Sequence, residues 1–96
     1  MIEVKLVYDN NTNLNEIGDY LQSPIFCLID MTTSKGQKEG YKLKGHWGAK
    51  LNPFAIVYQD NKPIKAFYSE AEDVISNLIN YLNNEQIWKN IKQIRK

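Results

Sequence analysis

Among its 96 residues this chain has one cysteine, one histidine and one arginine. Cys27, alone, can form no internal disulfide, so nothing argues for export. His46 has no second histidine or extra cysteine at ligand spacing, so a zinc site has nothing to build on. Long apolar runs are missing too, and none approaches the roughly 20 residues that cross a bilayer. The opening MIEVKLVYD carries an acid and an alternating pattern where a signal peptide needs a basic region and an apolar block. The expected compartment is the cytosol, with no membrane partner. A net charge of +1 gives no general attraction to nucleic acid. The phosphate-cradling and nucleophile fingerprints G-x-G-x-x-G, Walker A, G-x-S-x-G and H-E-x-x-H are all lacking, and no carboxylate pair stands in a context that would hold it together. No cofactor and no metal are expected.

What is present fits one globular domain: 43% hydrophobic and 24% charged residues, in a length that closes a single core. Lysine outnumbers arginine eleven to one, and Asn and Ile occur eleven times each. The favoured residues have AT-rich codons, which points to an AT-rich genome of the kind found in low-GC bacteria and their phages.

The centre of the chain is LNPFAIVYQDNKPIKAFY, residues 51–68. Two runs rich in Ile, Val, Phe and Tyr flank a polar turn at 59–62, the pattern of an antiparallel hairpin. Pro53 and Pro63 have no N–H for a ladder and are expected at strand starts. Upstream, Ile2, Val4, Leu6 and Tyr8 alternate with mostly polar residues and predict a first strand. Asn13 with Glu16 resembles a capping box, and Leu14, Ile17 and Leu21 share a helical face, so a helix is expected up to Gln22 or Ser23, before Pro24. The apolar run IFCLI at 25–29 reads as a strand buried on both faces. Residues 37–47 carry a weak helical signal. Ser69 with Glu72 predicts an N-cap for a last helix, with Val74, Ile75, Leu78, Ile79 and Leu82 as its apolar stripe.

The order β-α-β-α-β-β-α, with an X-Pro step opening the third strand, resembles the thioredoxin/glutaredoxin fold family over residues 1–83. The most specific stretch is GAKLNPFAIVYQDNKPIKAFY. The resemblance implies an α/β fold with a central mixed four-stranded sheet, Pro53 as the family's cis-proline, and a groove at Asn52 and Pro53 that pairs with an extended peptide or with glutathione. It also exposes a departure. Where that family carries C-x-x-C or C-x-x-S, this chain reads Asp9-Asn10-Asn11-Thr12-Asn13-Leu14-Asn15-Glu16. Asn13 falls at about the nucleophile's place, and an amide neither ionises nor attacks a disulfide. Thiol–disulfide exchange at that site is excluded.

The reading that follows is a non-redox binding module for a protein or peptide, with Asn13, Trp47, Asn52 and Pro53 as candidate binding residues. Its rival is an enzyme, a glutathione-dependent transferase or an oxidoreductase using Cys27. The apolar neighbours of Cys27 predict a buried, inert thiol. Taken alone, Trp47 reads as core before ligand platform, and His46 as a partly exposed residue at a helix end before a groove-lining one. Beyond the resemblance, residues 85–96 form a separate amphipathic extension with Lys89, Lys92, Arg95 and Lys96 against Glu85, a net of 4 − 1 = +3. Ile87, Trp88, Ile91 and Ile94 recur at helical spacing, as a face that packs on its own domain or as a candidate partner surface for a second subunit or an acidic partner. A self-associating tail would make a twofold dimer the simplest assembly.

Overall fold

A computed structural model describes residues 1–84. The extension at 85–96, with the partner surface expected of Ile87, Trp88, Ile91 and Ile94, lies outside the described residues. The described residues are α/β, a four-stranded mixed sheet with two α-helices. The strands are β1 (Ile2–Tyr8), β2 (Phe26–Asp30), β3 (Phe54–Gln59) and β4 (Lys62–Tyr68), and the helices are α1 (Ser34–Trp47) and α2 (Val74–Asn84). The sheet order is β2-β1-β3-β4, with β1 and β2 parallel and the other neighbours antiparallel.

Alternation along the strands divides the interior into two cores. Val4 and Leu6 of β1 join Ala55, Val57 and the α2 stripe of Val74, Ile75, Leu78, Ile79 and Leu82. Val7, one residue on from Leu6, meets Ile29, Met31, Phe54 and Ile56 in the second core, with Leu43 and Trp47 of α1 against it. Each helix therefore covers one face of the sheet.

The hairpin turns at Asp60 and Asn61, both in the left-handed region (φ 51° and 69°), as a two-residue loop of the twist-matching type requires. Pro63 is the second residue of β4, an edge strand, where a missing N–H costs the ladder nothing. The Asn52–Pro53 peptide bond is cis and leads directly into β3.

Three expectations need correction. The first crossover contains no α-helix, only a 3₁₀ turn at Gly18–Tyr20. Asn13 does not close a capping box; its Oδ1 accepts from the N–H of Asn15 (3.0 Å), a local turn that competes with helix. The apolar spacing reported burial rather than helical geometry, since Ile17 is fully buried and Leu14, Tyr20 and Leu21 pack against the α2 core. Second, the strand expected at 25–29 is not buried on both faces. β2 is an edge strand, Leu28 is 40% exposed, and Cys27 is exposed where burial was expected. Third, Ser69 does not cap the last helix. Asp73 does, its Oδ1 accepting from the N–H of Ser76 at 3.2 Å, and α2 starts at Val74.

No helix among the described residues is long and apolar enough to cross a membrane.

Candidate functional site

The segment after β1 turns sharply because Asp9 and Thr12 bond to each other's backbone and side chains. The Asp9 carboxylate accepts from the N–H of Asn11 (3.0 Å) and the hydroxyl of Thr12 (3.1 Å), while Thr12 Oγ1 accepts from the N–H of Asp9 (3.2 Å). These are the local bonds that short polar side chains offer a backbone leaving a strand. The loop is thereby held beside Pro53 and the start of α2.

Between these three elements lies a cleft of about 330 Å³. Asn11, Thr12, Asn13 and Glu16 form one wall, and Pro53 and Ser69 form the base. Glu72, Asp73 and the first turn of α2 close the other side. Neither cysteine nor histidine is among its walls. The Ser69 hydroxyl donates to the carbonyl of Pro53, which ties the end of β4 to the start of β3. The Glu16 carboxylate accepts from the Ser76 hydroxyl (3.0 Å), so the first crossover is fastened to α2. Glu72 accepts from Asn77 Nδ2 at 2.8 Å.

Behind the cleft a polar chain crosses from α1 to β1. Lys44 is only 6% exposed; its Nζ donates to Asn52 Oδ1 at 2.8 Å. Asn52 Nδ2 then donates to Asp9 Oδ2 at 3.1 Å. The bond from Asn52, foremost, holds the Asp9 carboxyl below its ordinary range, with help from Asn11, Thr12 and the charge of Lys44 against a smaller desolvation cost. A charge so deeply buried is tolerated only with such partners. Residues 50 and 51 are pinned separately, because the Glu70 carboxylate accepts both their N–H groups at 3.0 and 3.1 Å. Those bonds, led by that from Lys50, also lower the pKa of Glu70.

The candidate residues divide between surface and scaffold. Asn13 and Pro53 line the cleft. The Asn52 side chain is committed to Lys44 and Asp9, and Asn52 is not among the walls of the cleft. Trp47 is half-buried against the second core, and its carbonyl accepts from the Tyr68 hydroxyl at 3.0 Å. His46 is exposed, edge-on to Trp47 at 6.1 Å between ring centres. Cys27 and His46 line a second, larger groove on the α1 face of the sheet. Sequence reasoning passed over Lys44, Asp9, Glu16 and Glu70. Lys44 did carry a signal, since Gly36, Gly40 and Lys44 recur every fourth residue along one buried stripe.

No group of three or more His, Cys, Asp or Glu among the described residues is placed to hold a metal ion. Compared with family models, with curated proteins and with solved structures, the chain matches none.

Proposed function

We propose that this chain is a thioredoxin-like, non-redox module that holds an extended protein or peptide segment in the cleft beside Pro53. The reading rests on one observation above others. The cleft presents amides, hydroxyls and carboxylates, and no thiol, at the end of β1 where the resemblance puts a redox cysteine. Main-chain pairing at Asn52 needs no particular side chain, so peptide binding survives the loss of the cysteines.

The chemistry of the walls favours a segment bearing Lys or Arg. Among the described residues, Glu16, Glu72 and Asp73 accept hydrogen bonds only from neutral donors, and the single ion pair joins the N-terminus to Asp60. A cationic side chain entering the cleft would meet carboxylates with spare acceptor capacity.

A second reading has one observation in its favour. The exposure of Cys27 removes the burial that argued against a thiol-dependent enzyme. Insulin reduction by dithiothreitol separates the two. The chain is expected to give no acceleration over the reagent alone, and turnover abolished by Cys27→Ala would establish the enzyme instead.

A further inference from the structure

The groove on the α1 face shares no lining residue with the cleft beside Pro53 and has its own chemistry. It holds about 590 Å³, within the roughly 300–1,000 Å³ usual for small-molecule sites. Ile29 and Leu43 give it an apolar floor, with the exposed Cys27 thiol beside them. Glu39, Lys42 and His46 line it from α1 at helical spacing, and Lys5 rises from β1 directly opposite Cys27. Lys5 is unexpected there. It lies on a central strand with Cys27 on one side and Ile56 on the other, a position that usually carries an apolar side chain. Its ammonium rests 5.2 Å over the Tyr58 ring, and no carboxylate among the described residues pairs with it or with Lys42.

We propose that this groove binds a small amphipathic anion, a medium-length apolar chain ending in one carboxylate. The chain would lie along Ile29 and Leu43, and the carboxylate would reach the ammonium groups of Lys5 and Lys42. The charges lining the groove sum to +1 from the two lysines and Glu39. The thiol has no chemical part in binding. It is a built-in reporter, because any occupant covers it.

The test uses the full chain with octanoate and 1-octanol as probes and neutral iodoacetamide as the thiol reagent. Octanoate should slow alkylation of Cys27 saturably, at concentrations about fivefold lower than octanol needs, the effect of one partly exposed ion pair. Lys42→Ala, at an exposed position, should reduce that preference, and Lys5→Ala with Lys42→Ala should remove it. Protection by neither probe overturns the site. Equal protection by both probes overturns the anion selectivity, and so the proposal.

Discussion

Gly36→Ala is expected to destabilise the fold by about 3 kcal/mol or more, the upper end of overpacking costs. A Cβ at this position would stand 1.7 Å from the carbonyl oxygen of Asp30 and 2.5 Å from its carbon. The obstacle is backbone at the end of β2, which also supplies the N-terminal bonds of α1: the Thr33 N–H and hydroxyl both donate to that oxygen. Neither side can yield without unseating the helix. Gly40→Ala meets Met31 Sδ at 2.1 Å, near the end of a flexible side chain, and should lose less. Gly45→Ala meets nothing within 4 Å inside the same helix and should gain roughly 0.5–1 kcal/mol. Urea unfolding of the three variants checks the ranking. A Gly36→Ala midpoint close to wild type would mean that α1 is not seated so tightly on β2.

Asn52→Ala is the second large effect, about 2–3 kcal/mol at neutral pH. It leaves the ammonium of Lys44, a residue only 6% exposed, without its hydrogen-bond acceptor, and a buried donor left unpaired costs more than the bond was worth. Lys44→Met should cost less, because charge and bond leave together. In the Lys44→Met background Asn52→Ala should be milder still, and that non-additivity identifies the pair. The same substitution should alter the acid limb. Asp9 is held below its ordinary pKa chiefly by Asn52, so the unfolded chain takes up its proton more readily than the fold does. That stabilisation is whole above the ordinary carboxylate pKa of about 4 and is lost as pH falls through the lower folded value. The gap in denaturant midpoint between wild type and Asn52→Ala should stay whole from pH 7 to about pH 5 and narrow as pH is taken down to about 2.5, well below the ordinary carboxylate pKa. A constant gap between them would show that Asn52 does not act through Asp9.

The strands and the hairpin were legible because alternation and turn chemistry are local. Val4, Leu6 and Val57 declare their faces by period, and Asp60-Asn61 supplies the left-handed pair that the loop needs. The first crossover was misread because Leu14, Ile17 and Leu21 answer to burial alone. Local bonds from Asp9, Thr12 and Asn13 hold the backbone out of helix. Cys27 was misjudged because its apolar neighbours do not reveal that β2 lies at the sheet edge; strand order is a property of the whole chain. Asn13 and Pro53, singled out through the resemblance, both line the cleft. The carboxylates Glu16, Glu72 and Asp73 were not, because they converge only when the crossover docks on the start of α2.

The central claim is that the cleft beside Pro53 holds a peptide without redox chemistry, and amide NMR tests it most directly. The ¹⁵N-labelled chain would be titrated with an extended lysine-bearing peptide and with its glutamate-bearing counterpart. The account predicts saturable shifts from the lysine peptide at the amides of Asn11, Thr12, Asn13, Ser69 and Glu72, and little response to the glutamate peptide. Shifts confined to other surfaces, no shifts at all, or equal binding of both peptides would contradict it.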